Sequence, residues 1–94
     1  MNANSGYQGW KNYETWAVAL WLDNEEGSYN TARQIVKEGL KDGGHISEVA
    51  NALKEFVEGQ NPLSDQANLF SDLLNAALSE VDWLEVAEHY KEDE

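Results

Sequence analysis

The chain of 94 residues contains no cysteine, which excludes disulfides, thiolate metal sites and a cysteine nucleophile. A domain this small is then held by side-chain packing alone. Bases are scarce as well: six Lys and Arg stand against eighteen Asp and Glu, for a formal charge of −12. That balance lacks the basic footprint with which proteins grip phosphate backbones, so direct nucleic-acid binding is not expected. No apolar run approaches the roughly 18 residues that a membrane span needs. The start, Met1 to Gly6, has neither the basic nor the apolar region of a secretory leader, and the chain reads as a cytoplasmic protein without membrane contact. There is a single proline, and no segment alternates polar with apolar over more than a few residues, so little or no sheet is expected.

What the chain does have is apolar mass, with 41% hydrophobic residues and ten aromatics, too much for a disordered acidic tail. The charge is unevenly placed. Residues 1–47 carry six acids and four bases, whereas residues 48–94 carry twelve acids and two bases.

Periodicity divides the chain into a flexible arm over residues 1–11 and an acidic helical domain over residues 12–94, an all-α, single-domain bundle of about five helices. Asn12 is placed as an N-cap for a first helix over about 13–22, where Tyr13, Trp16, Ala17, Leu20 and Trp21 recur at helical spacing. The polar run Asp23 to Ser28 breaks the chain before a second stripe, Tyr29, Ala32, Ile35, Val36 and Leu40, which stops at Asp42-Gly43-Gly44. Ile46, Val49, Leu53, Phe56 and Val57 define a third helix. Ser64 is expected to cap a fourth, whose Leu69, Phe70, Leu73, Leu74, Ala77, Leu78 and Val81 make the broadest apolar face and mark it as the central helix. Asp82 with Glu85 three residues on resembles a capping box opening a fifth helix, which bears Trp83, Leu84, Ala87 and Tyr90.

No catalytic constellation emerges. His45 and His89 are far apart and in no His-Glu-x-x-His pattern, and the segment Asp23 to Ser28 lacks the glycine and the terminal glutamate of a calcium loop. Phosphate-binding loops and nucleophile elbows are missing. The expectation is a protein that is not an enzyme, with no metal and no cofactor.

Two features remain as candidate binding elements. Trp10, Trp16 and Trp21 fall within twelve residues. Trp16 shares ordinary core spacing with Leu20, while Trp21 or Trp10, off the main stripe, would be the interface anchor, since binding energy concentrates on indoles. The second feature is acidic: Glu48, Glu55 and Glu58, then Asp65 and Asp72, then Glu85, Glu88 and Glu92 each fall on one helical face. Like charges at that spacing repel by a few tenths of a kcal/mol per pair, so stability does not explain them. A solvated face that keeps the protein soluble is the plain alternative.

The stretch Trp10-Lys11-Asn12-Tyr13-Glu14-Thr15-Trp16, continuing through Leu20 to Asn24 and on to Gly27 and Tyr29, resembles an Asn-Tyr-Glu-Thr-Trp segment of small uncharacterised phage and plasmid proteins. The resemblance covers about a fifth of the chain. It implies a mobile-element protein in a bacterial cytoplasm. By analogy of size, charge and source, it suggests an inhibitor of host defence of the anti-CRISPR or anti-restriction kind. The leading expectation is therefore a DNA-mimic-type inhibitor that presents Glu85, Glu88 and Glu92 first, then Asp65 and Asp72, then Glu48, Glu55 and Glu58, to a basic nucleic-acid-binding protein. On the last stripe a carboxylate recurs about every 5 Å, comparable in order to the phosphate spacing of about 3.4 Å along a DNA strand. The alternative is a structural or adaptor protein, homodimeric through the tryptophan-rich first helix.

Overall fold

A computed structural model describes residues 6–92, the side chain of Glu92 excepted. It is all-α: α1 Tyr13–Asn24, α2 Glu26–Gly39, a short 3-10 turn Lys41–Gly43, α3 Ile46–Glu58, α4 Leu69–Ser79 and α5 Trp83–Glu92. No strand occurs among the described residues beyond an isolated bridge between Tyr7 and Trp10.

The helix boundaries follow from side chains that compete with the backbone. Asn12 sits in extended conformation and its carboxamide oxygen accepts from the Thr15 N–H at 2.9 Å, satisfying one of the unpaired donors at the start of α1. Glu25, also extended, closes α1 and opens α2 by accepting from the Ser28 N–H at 2.7 Å, so one residue makes the break that the polar run foretold. The stop after α2 uses left-handed backbone at Asp42 (φ 57°) and Gly43 (φ 82°), residue types that tolerate it.

The core is small, built from Leu22, Ala32, Val36, Val49, Ala50, Leu53, Val81, Val86, Ala87 and Tyr90. Close approach of α2 to α3 depends on Gly39, where a Cβ would lie 2.5 Å from a Val49 methyl carbon.

Three expectations need correction. α4 is not the central helix: it lies outside the main helix pairings, and Ser71 is its only buried residue. Leu69, Phe70 and Leu73 are 65%, 68% and 60% exposed. Helical periodicity shows that a face is apolar, not what it faces, so the broadest stripe need not be the buried one. Its cap is Asn68 rather than Ser64, in a reciprocal capping box with Ser71 (2.9 Å each way).

α1 also buries a different face from the one expected. Thr15, Ala19 and Leu22 turn inward, while Tyr13, Leu20 and Trp21 turn out. Trp16 is half-buried against Tyr7 and Tyr13, with ring centroids 4.8 and 5.5 Å away, rather than in the core. Small residues are what allow α1 to sit close to α2 and α5, and the bulky aromatics are left outside.

The amino-terminal arm expected over residues 1–11 is described from Gly6 onward. Residues 1–5 lie outside the described residues. Tyr7 and Trp10 exchange backbone hydrogen bonds of 2.6 and 2.8 Å across Gln8 and Gly9, both at positive φ as in a type I′ turn. The turn is docked, since Trp10 packs on the core edge and its ring lies 5.2 Å from that of His89.

Candidate functional site

The segment from Lys11 to Trp16 serves the fold at three of its positions. The Asn12 side-chain amide donates to the Glu80 carbonyl at 2.7 Å. The buried Thr15 hydroxyl donates to Asn12 Oδ1 at 2.6 Å and accepts from the Asp82 N–H at 2.9 Å. The Lys11 N–H donates to Glu85 Oε1 at 3.0 Å. Together these bonds stitch the start of α1 to the junction between α4 and α5. A buried hydroxyl that satisfies two partners is costly to remove, so the polar residues of this segment answer to folding. Tyr13 and Glu14, on the other side of the helix, do not take part.

This stitch changes the reading of the last acidic stripe. Asp82 does cap α5, accepting from the Glu85 N–H at 3.1 Å, but the Glu85 carboxylate is turned to Lys11 instead of back to Asp82. Glu85 is half-buried and engaged; Glu88 is exposed; the side chain of Glu92 lies outside the described residues. Asp65 falls in the turn segment before α4, so it shares no helical face with the exposed Asp72. On α3, Glu48 and Glu55 are exposed and Glu58 is half-buried. The stripes are thus shorter than their spacing implied, with Glu48, Glu55, Asp72 and Glu88 as their exposed members.

Beside Glu85 and Glu88 lies a polar cleft of about 240 Å³, shared with Gly9, Trp10 and His89. His89 contacts Asp23 at 3.2 Å, and the buried Tyr90 hydroxyl donates to the same carboxylate at 2.6 Å. Asp23 therefore ties the end of α1 to the end of α5. No group of three His, Asp or Glu side chains able to hold a metal occurs among the described residues.

A further concave surface runs along α1. One cavity of about 400 Å³ is walled by Ala17, Val18, Trp21 and Leu22 of α1, facing Val57 and Gln60 at the end of α3 and Glu25 and Ser28 at the start of α2. A second, of about 190 Å³, is walled by Tyr13, Glu14, Ala17 and Val18, facing Leu74, Ala77 and Leu78 of α4 and Val81. Both use Ala17 and Val18. The α1 residues involved recur at i, i+1, i+4 and i+5, so the two cavities lie in register on one side of the helix as an apolar groove. Its rim carries Trp21, 72% exposed, and Tyr13, 55% exposed.

Trp21 is the one sequence candidate on this groove. Ala17, Val18, Leu74 and Val57 were legible in the sequence only as apolar positions. The groove carries no cation: no Lys or Arg occurs in residues 12–32 or 55–90, and its walls include the carboxylates of Glu14 and Glu25. Hydrogen bonds from Ser28, side chain first and backbone second, hold the Glu25 carboxyl below its ordinary value, so Glu25 stays ionised at neutral pH.

The match of a family model to residues 3–94 decides the chain's membership. The chain belongs to a family of unknown function, DUF7249. No curated protein and no solved structure matches it. The family assigns no residue a role. No described helix is long and apolar enough to cross a membrane.

Proposed function

We propose that this protein is a non-enzymatic binding protein that docks a partner protein in the groove along α1, with Trp21 as the anchor. The observation that carries the reading is Trp21 itself: an indole 72% exposed at the mouth of an apolar cavity of about 400 Å³. Large exposed apolar patches mark interaction sites, and tryptophan is enriched among residues that dominate binding energy. Leu69, Phe70 and Leu73 extend the apolar surface on α4. This reading keeps the adaptor alternative drawn from the sequence and moves the main contact from the carboxylates to the indole.

The test is capture of partners from a bacterial extract with the full chain, its Trp21→Ser variant and a Glu55→Lys/Glu88→Lys variant, each washed at low and at high salt. Docking in the groove predicts that Trp21→Ser loses the partner and that the partner of the unmodified protein survives high salt. Retention of the same partner by Trp21→Ser contradicts it.

A second reading, the DNA-mimic-type inhibitor of a basic nucleic-acid-binding host defence protein, is favoured by the exposure of Glu55, Asp72 and Glu88 in the stretch 55–90, which lacks Lys and Arg, and of Glu48 shortly before it. It predicts the opposite pattern. The charge-reversed variant releases the partner, Trp21→Ser keeps it, and salt alone elutes it, because exposed charge pairs are screened over about 8 Å at physiological ionic strength.

A further inference from the structure

Resting on the docking reading above, we infer that the occupant of the α1 groove is a cationic amphipathic helix of another protein. Three observations define it. The first is length: from Tyr13 to Leu22 the groove follows α1 for nine residue steps, about 14 Å at 1.5 Å per residue, which matches apolar anchors at i, i+4 and i+7 of a docked helix. The second is shape. The cavity at the Trp21 end is about 400 Å³ and that at the Tyr13 end about 190 Å³, so the groove takes a bulky aromatic anchor at one end and a smaller aliphatic one at the other. The third is charge. Glu25 stands in the wall of the first cavity and Glu14 in that of the second, α1 and α4 contain no Lys or Arg, and the whole chain carries −12.

Charge also decides against a second copy of this chain. A dimer through α1 would bring two sets of Glu14 and Glu25, each on a chain of −12, into one interface with no base on the joined helices to offset them. A helix with lysines flanking its apolar stripe meets the same carboxylates as partners.

The experiment uses the full chain and a fluorescein-labelled peptide of 16 residues built from Lys, Leu and Ala, with one Phe in a single apolar stripe, read by anisotropy. Two control peptides are a permutation of the same residues that destroys the stripe and a version with Glu in place of Lys. The expected result is saturable binding of the amphipathic cationic peptide, with both controls at least about tenfold weaker. Trp21→Ser should weaken it about thirtyfold, the loss of a hot-spot anchor, while Glu48→Lys on α3 changes it less than about threefold. Equal binding of the permuted peptide overturns the inference in favour of attraction by charge alone. Equal binding of the Glu peptide, or a concentration-dependent dimer in sedimentation equilibrium that Trp21→Ser abolishes, overturns the cationic occupant while leaving the docking face standing. If no peptide binds and Trp21→Ser changes neither self-association nor partner capture, the docking reading falls with it.

Discussion

The two halves of the helical surface use similar residues for different ends. Between α2, α3 and α5, modest side chains such as Ala32, Val36, Val49, Leu53 and Val86 are fully enclosed. Along α1 and α4 the larger ones, Trp21, Tyr13, Leu69, Phe70 and Leu73, stand in the open. Fold stability is thus concentrated where side chains are enclosed and matched, with Tyr90 the one large aromatic fully buried among the described residues, while the other bulky residues named here are left outside. Polar residues follow the same division. Thr15, Asn12 and Glu85 are consumed in holding α1 against the junction of α4 and α5 and Glu25 caps α2, whereas Glu14 and Asp72 remain beside the groove and on α4.

Substitutions of equal chemistry on the two sides break or sharpen this contrast. Leu53→Ala should cost about 2–5 kcal/mol, as for a fully enclosed leucine, whereas Leu73→Ala on α4 should stay within about 0.5 kcal/mol. Urea unfolding of both variants checks this, and equal losses would place α4 in the core. Thr15→Val should cost about 1–3 kcal/mol in the same assay, because it strips the Asp82 N–H of its acceptor inside the protein. Trp16→Ala should cost about 1–2 kcal/mol, less than the about 3–5 kcal/mol of a buried aromatic, since Trp16 is half-buried and packs on Tyr7 and Tyr13.

The sequence made α2 and α3 legible because each has one apolar stripe and an otherwise polar circumference, so the period names the buried side; on α5 the stripe holds at Ala87 and Tyr90, but Leu84 on it is exposed and Val86 off it is fully buried. Ala32, Val36, Val49, Leu53, Ala87 and Tyr90 all lay on those stripes. α1 and α4 defeated the same reasoning for one physical cause. Apolar residues surround α1, and size drew attention to Tyr13, Trp16 and Trp21, although packing distance rewards Ala19 and a hydroxyl that can be satisfied, Thr15. In α4 the stripe is genuine but faces away from the core. Of the candidate site, Trp21 was visible as an indole off the main stripe. The carboxylates were visible as spacings, but spacing cannot tell that Glu85 would turn to the Lys11 N–H or that Asp65 would lie outside the helix.

The smallest effect is expected at the break between α1 and α2. The Glu25 carboxyl is held below its ordinary value of 4.5 by Ser28, so its contribution to stability is present above about that pH and is lost as pH falls through the lowered value. Glu25→Gln should therefore lower the melting temperature slightly at pH 7 and not at all at the acid end of a pH series. An equal difference at both ends would mean that the carboxylate is not what caps α2.

The central claim, that the face of α1 and α4 is surplus to the fold and serves a partner, is tested most directly by thermal melting of a Trp21→Ser/Phe70→Ser/Leu73→Ser variant alongside its affinity for the cationic amphipathic peptide. The account predicts a cooperative melt within about 1.5 kcal/mol of the unmodified protein, three surface substitutions of up to about 0.5 kcal/mol each, together with loss of peptide binding. A variant that unfolds, or one that melts normally and still binds the peptide undiminished, would contradict it.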